Sequence, residues 1–352
     1  MHDVLAIETD KGMEVYLRPL NSMAEGVQKF ELISLFGGNE TRSIVTRDDL
    51  INQAAGPLGK RISELLARID DSPNSLCGFA LDQPRVMGIL NVTPDSFSDG
   101  GKHLDPESAI EAAFALQAAG ADIIDVGGAS SRPGSSAPSE AEEKARILPV
   151  VKTLASAGMI VSVDTRRAAV MRAAISAGAG MVNDISALAG DPESLDVVAS
   201  AGVPVVLMHM QGTPQTMQRA PSYKHVAPEI FNFLEARIAS CEAVGIDREK
   251  LIVDPGIGFG KTMAHNLKIL GDLGLFRGLG CPLLVGVSRK QFIACLSSGE
   301  MPEARMPGSV ASALHAITHG AHIVRVHDVA ETVQAIKVWQ AVVQETMGSN
   351  LA

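Results

Sequence analysis

VMGILNV at 86–92, PESAIEAAFALQAAG at 106–120 and DIIDVGG at 122–128 read together as strand, helix, strand. The outer two segments are short, apolar and rich in β-branched residues, and each ends on a polar residue or glycine. Continuous apolar runs of this length suit parallel strands buried on both faces. The middle segment is rich in Ala and carries apolar residues at helical spacing, and it stops at Gly120, where a helix C-cap belongs.

The unit recurs towards the C-terminus. MIVSVD (159–164), MVNDIS (181–186), VPVVLMH (203–209), LIVDPG (251–256), PLLVGVS (282–288) and HIVRVHD (322–328) repeat the strand pattern. SEAEEKARILPVVKTLASAG (139–158) and ASALHAITHG (311–320) repeat the helical one. Eight such runs predict a (β/α)8 TIM barrel, whose usual size of about 250 residues matches the stretch they occupy. An open doubly wound sheet is the alternative, but its GxGxxG phosphate fingerprint after the first strand is absent.

Residues 1–84 do not fit the repeat. EVYLRPL (14–20) and KFELISLFGG (29–38) read as strands. Ile62, Leu65, Leu66 and Ile69 lie at i, i+3, i+4 and i+7, so 59–70 reads as an amphipathic helix. DDSPNS (70–75) is turn-rich and reads as a linker. The expected division is a small α+β extension over 1–75 and a barrel domain over 76–352.

Composition narrows the function. A net charge of −10 makes a polyphosphate backbone an unfavourable partner, so nucleic acid is not expected. Aromatic residues at 4% argue against base-stacking platforms. Cys77, Cys241, Cys281 and Cys295 match no zinc or CxxC spacing and read as free thiols in a reducing compartment. With neither a signal segment nor an apolar run of about 18 residues, a cytoplasmic protein without membrane contact is expected.

Active sites of barrels sit at the C-terminal ends of the strands. Those ends carry Asn91, Asp125, Asp164, Asn183 with Asp184, His209, Asp254, Ser288 with Arg289 and Lys290, and Arg325 with His327 and Asp328. Ionisable groups are costly to desolvate, and residues from most strands converging on one rim predict a site. Asp164, Asp254 and Asn183 can read the donor edge of a flat heterocycle, while Lys290 can meet an acceptor on its ring. Arg325, His327 and Arg132 can hold an anion. A nitrogen heterocycle with an anionic leaving group would use all of them.

Two motifs are decoys. DPGIGFGKT (254–262) ends like a P-loop, but Pro255 stands where GxxxxGK[ST] requires glycine, so it reads as a glycine-rich turn. His315 and His319 are spaced i, i+4 without an adjacent Glu or third ligand, and read as a helix face.

NVTPDSFSDGG (91–101), GGASSRPG (127–134), VDTRR (163–167), VNDIS (182–186), DPGIGFGK (254–261), GVSRK (286–290) and RVHDV (325–329) together resemble the dihydropteroate synthases. The resemblance spans 86–343 and implies a transferase of folate biosynthesis on a TIM barrel. The reaction it implies joins 6-hydroxymethyl-7,8-dihydropterin pyrophosphate to p-aminobenzoate. By resemblance, Asp164, Asn183, Asp254 and Lys290 would bind the pterin; Arg325, His327 and Asn91 would hold the pyrophosphate, with Mg2+ at Asn91. Ser131, Arg132 and Pro133 would build the p-aminobenzoate pocket, with Phe259 and Lys290 as further walls. Loops 92–103 and 129–137 would close over the substrates, and a homodimer would form through barrel helices.

Three positions depart from the family pattern: Ala129 replaces Glu, Ser131 replaces Thr, and Gln291 stands where a small serine is common. The pterin set is intact, so altered fit is expected only for p-aminobenzoate and for sulfonamides. Two alternatives are a pterin-binding methyltransferase and a non-catalytic pterin-binding paralogue. The first needs neither SSRPG nor the SRK and RVH segments, and the second should have lost anion-binding residues that remain here.

Overall fold

The computed structural model describes residues 12–20, 29–52, 56–71, 75–93, 106–129 and 138–346. The expected eight strands are present as one parallel sheet: β6 (Arg85–Asn91), β7 (Ile123–Gly127), β8 (Val161–Asp164), β9 (Met181–Asp184), β10 (Val205–Met208), β11 (Leu251–Asp254), β12 (Leu284–Val285) and β13 (Ile323–Val326). Their spatial order is β11-β10-β9-β8-β7-β6-β13-β12, and a parallel bridge from Val253 to Leu283 closes the ring. This is the (β/α)8 barrel. Its described helices are α3 (Pro106–Ala118), α4 (Glu140–Ser156), α5 (Ala168–Ser176), α6 (Ser194–Ala201), α7 (Val226–Ala243), α8 (Met263–Gly271), α9 (Gln291–Leu296), α10 (Met306–Thr318) and α11 (Val329–Thr346). No described helix is long and apolar enough to cross a membrane.

The barrel interior is packed, not hollow. Met87, Ile123, Met181, Val206, Ile252, Leu284 and Ile323, each within the first three residues of its strand, form one apolar layer with Ile160. A short hairpin of β4 (Ser75–Leu76) and β5 (Phe79–Ala80) adds Leu76 to that layer, with Leu81 just beyond it, and so plugs the N-terminal end. This plug was invisible in the sequence because two-residue strands carry no period.

Ahead of the barrel lies an antiparallel sheet β1-β2-β3, with β1 (Glu14–Leu20), β2 (Lys29–Phe36) and β3 (Asn39–Thr46). It is followed by α1 (Arg47–Asn52) and α2 (Gly56–Asp70), which buries Ile62, Leu65, Leu66 and Ile69 as the periodicity predicts. β3 was not expected: NETRSIVT is mostly polar and partly exposed along its length. The sheet shares one apolar core with the barrel, where Tyr16 meets the Phe231 ring edge-on at 5.3 Å. Ion pairs reinforce the contact: Arg61 to Glu235 at 2.7 Å and Arg42 to Asp272 at 2.7 Å.

Candidate active site

Strand register sets the rim. Asn91 faces Gly127, Gly127 faces Asp164, Asp164 faces Asn183, and Met208 faces Asp254 across the parallel ladders. The polar strand ends foreseen in the sequence therefore lie at the C-terminal ends of neighbouring strands, on one mouth of the barrel. Ser131, Arg132 and Pro133, with most of both loops expected to close, lie outside the described residues.

Arg325 organises the centre. Its Nε donates to Asp125 Oδ2 at 2.6 Å and its Nη2 to Asp164 Oδ2 at 2.8 Å. Asn183 Nδ2 donates to the same Asp125 oxygen at 3.0 Å. Asp125 is 0% exposed, and its other oxygen has no partner among the described residues. Burial pushes the Asp164 carboxyl above its ordinary range; Arg325 opposes this, while Asp125 and Asp184 add to it. Arg325 is itself disfavoured by burial, yet the carboxylates around it keep it charged, above its usual value. Asp125 was seen as a strand-end residue, but its role as shared acceptor was missed. The available signal was a carboxylate inside the otherwise apolar run IIDVG.

Asp254 is 6% exposed and raised by burial, with the Gly256 N–H donating to it at 2.7 Å. The turn after it is drawn tight against the next loop. A Cβ at Gly256 would lie 2.0 Å from the His209 carbonyl oxygen, so only glycine fits there. Lys261, the apparent P-loop lysine, is 3% exposed and donates to the His209 carbonyl at 3.2 Å and the Phe259 carbonyl at 2.9 Å, with His209 Nδ1 3.0 Å away. Burial lowers Lys261 to about 7 and His209 to about 3, the latter helped by the nearby lysine. DPGIGFGKT is thus a turn, as expected, but one whose lysine is structural, which its spacing does not reveal.

SRK and RVHD lock together. Arg289 adopts φ 57, a left-handed conformation that costs a non-glycine residue about 1–2 kcal/mol. It is held there by Ser309 Oγ, which accepts from its N–H at 2.8 Å, by Asp328, which accepts from its Nε at 3.1 Å, and by Arg305, which donates to its carbonyl at 3.0 Å. The twist presents Lys290 at the start of α9, with its Nζ 4.3 Å from the centre of the Phe259 ring. Burial lowers Lys290 to about 8, and Arg325 lowers it further. His327 Nδ1 sits 3.0 Å from Ser288 Oγ, which accepts from the His327 N–H at 3.1 Å. Burial, then Arg325, lower His327 to about 3, so it is neutral at pH 7 and offers a donor, not a charge.

Asp184 belongs to the scaffold: it accepts from Ser186 N at 2.7 Å and Leu188 N at 2.9 Å, fixing the turn after β9. His315 and His319 stack at 4.1 Å and face the carbonyls of Leu270 and His315, as a helix-face pair would. The site thus pairs a carboxylate and amide row with the cations Arg325 and Lys290 on one buried rim, a surface able to hold a polar ring and an adjacent anion.

The profile of the pterin binding enzymes matches residues 87–327. The dihydropteroate synthase of Escherichia coli strain K12 is 49% identical over 262 residues, which cover 74% of this chain and 92% of that protein. A structure of Xanthomonas albilineans dihydropteroate synthase with 4-aminobenzoic acid superposes with a TM-score of 0.72 at 49% identity, covering 77% of this chain and 98% of that one. A structure of the same enzyme with 7,8-dihydropteroate gives a TM-score of 0.69 at 49% identity, covering 75% and 95%.

Proposed function

This chain belongs to the pterin binding enzymes, among the dihydropteroate synthases, and from that premise we propose which of its residues carry the reaction and how. The enzyme condenses 6-hydroxymethyl-7,8-dihydropterin pyrophosphate with p-aminobenzoate, giving 7,8-dihydropteroate and pyrophosphate. The bond from the pterin CH2 to the pyrophosphate oxygen breaks, a bond to the arylamine nitrogen forms, and that nitrogen gives up a proton.

The observation that carries the assignment of roles is the row Asp164, Asn183 and Asp254 at one rim, faced by Arg325 and Lys290. Asp254 and Asn183 take the hydrogen-bonding edge of the pterin, and Lys290 meets an acceptor on its ring. As the leaving group departs, positive charge develops on the pterin, and the carboxylates of Asp164 and Asp254 stabilise it without reorganising. His327 donates from Nε2 to the pyrophosphate, and Arg325 adds positive charge beside it. Phe259, stacked under Lys290, walls the p-aminobenzoate pocket together with Ser131, Arg132 and Pro133. The arylamine is nucleophilic when neutral, so no strong base is required.

Mg2+ fits the residues present. The Asn91 side-chain amide, at the end of β6, makes no hydrogen bond to another described residue. No three His, Cys, Asp or Glu side chains gather into a metal cage among the described residues. A hard cation there would be held by one amide oxygen, substrate phosphate oxygens and water, which suits an ion that keeps much of its hydration. When bound it neutralises charge on the departing pyrophosphate.

The protonated Lys290 gives a test by pH. Its ammonium is present below about 8 and lost above, so kcat/KM for the pterin substrate is expected to fall as pH rises through about 8. A Lys290→Met variant should be less active and lack that limb; an unchanged limb would assign it to another group. We place the enzyme in the cytoplasm as a homodimer. The α11 face bearing Val338 and Val342, 61% and 60% exposed, suits a second copy of the chain. Light scattering is expected to give twice the 36.9 kDa chain mass.

A further inference from the structure

The sheet β1-β2-β3 and helix α2 lie ahead of Met87, where the family match begins, and 77% of this chain suffices to cover 98% of the Xanthomonas structure. Of the several ties that join the added unit to the barrel, two lead to different parts of α7. One tie reaches the middle of α7, where Arg61 donates to both Glu235 oxygens at 2.7 and 2.9 Å. The other reaches the residue just before α7. There His225 Nδ1 meets Glu40 Oε2 at 2.9 Å, and its Nε2 meets the Gly38 carbonyl at 3.1 Å. β2 and β3 form a hairpin whose tip is seated closely: at Gly38, with φ +83, a Cβ would lie 1.9 Å from Lys224 Nζ.

The second tie leads straight to the mouth of the barrel. Tyr223, two residues before His225, donates from its hydroxyl to the Gly260 carbonyl at 2.8 Å. Ser222 is clamped by Gln211, which accepts from its N–H at 3.0 Å and donates to its carbonyl at 2.9 Å. Gln218 donates to the Gly258 carbonyl at 2.7 Å. Gly258 and Gly260 flank Phe259, whose carbonyl is held by Lys261 and whose ring lies beneath Lys290. From the hairpin tip to that ring the contacts are unbroken: Gly38 and Glu40, His225, the 209–224 loop, the 256–261 turn, Phe259.

We infer that the N-terminal hairpin is a prop for the substrate pocket, and that His225 is the positioning residue through which it sets Phe259 and Lys290 for the aromatic amine. The inference rests on Phe259 being a wall of that pocket. His225 touches no substrate and acts only through the loop.

The test compares the full-length enzyme with His225→Ala, His225→Gln, Arg61→Ala and Phe259→Leu. His225→Ala should raise the KM for p-aminobenzoate by about tenfold, short of the 10²-fold that a 1 Å misplacement can cost. It should leave the KM for the pterin substrate within twofold and speed amide hydrogen exchange at 256–262. His225→Gln, whose amide can still bond at the same place, should restore most of both. Arg61→Ala breaks a tie that does not reach the loop, so it should lower Tm while leaving both KM values unchanged. The inference is overturned if His225→Ala changes Tm but neither exchange nor KM, or if Arg61→Ala raises the p-aminobenzoate KM equally. Phe259→Leu separates the two levels: if it leaves that KM unchanged, the pocket assignment fails, whereas exchange at 256–262 still reads the tether.

Discussion

Replacing Arg325 with alanine is expected to reduce turnover by roughly 10²–10³-fold, the usual cost of removing one preorganised charge-stabilising donor. The structure adds a second consequence. Arg325 is the partner that Asp125 and Asp164 share, at 2.6 and 2.8 Å. Among the described residues, the fully buried Asp125 then keeps only Asn183, and Asp164 loses the one cation bonded to it. Breaking a buried pair by removing one partner costs about 3–5 kcal/mol, so thermal stability should fall as well. Asp164 should then hold its proton to higher pH, because burial and the neighbouring carboxylates act on it unopposed. Kinetics, a melting curve and pterin titration on one preparation separate these effects. A non-catalytic pterin binder has no turnover to lose; an unchanged rate in a folded variant would remove Arg325 from the mechanism.

Asp254→Asn is the second large effect, and it spares the fold. The new side chain is of equal size and keeps an oxygen for the Gly256 N–H, now 2.7 Å away. It loses the charge, and it turns an N–H2 donor towards the ring donors of the pterin. A hydrogen bond to a charged group contributes about 1.5–3 kcal/mol, and a mismatched buried donor costs about 1–3 kcal/mol more. Together these predict a fall in kcat/KM for the pterin substrate of roughly 10²–10⁴-fold. Pterin affinity should fall in parallel, while Tm stays or rises because a buried carboxylate has been neutralised. Retention of tight pterin binding would show that Asp254 does not read the ring.

The barrel was legible because strands buried on both faces must be apolar throughout, and DIIDVGG or VPVVLMH can hardly be read otherwise. PLLVGVS shows the limit of that signal. The segment is seven residues long, yet its strand is only Leu284–Val285, with Leu283 adding a single bridge, because the chain must then turn to place Arg289 at φ 57 and Lys290 on the rim. Polar β3 was missed because it is an edge strand with no buried side chain to mark a period.

The rim residues were legible one by one, since each ends an apolar run. Their pairings were not. Arg325 and Asp125 are 200 residues apart, and only barrel closure and register bring them to 2.6 Å. That contact changes the reading of Arg325, whose Nε and Nη2 are engaged by carboxylates, from a free anion clamp to the hub of a charged network. Lys261 escaped for a related reason: its neighbours His209 and Phe259 come from two different strand–helix loops, and nothing in GFGK announces its burial.

We propose that Asp164, Asn183, Asp254 and Lys290 form the pterin site at the C-terminal mouth of the barrel. A crystal structure of the full chain with a pterin pyrophosphate analogue tests it directly. The expected result is the ring lying against Asp254 and Asn183, with the pyrophosphate towards His327 and Asn91. A ring seated elsewhere, with Asp254 and Asn183 both out of contact, would contradict it.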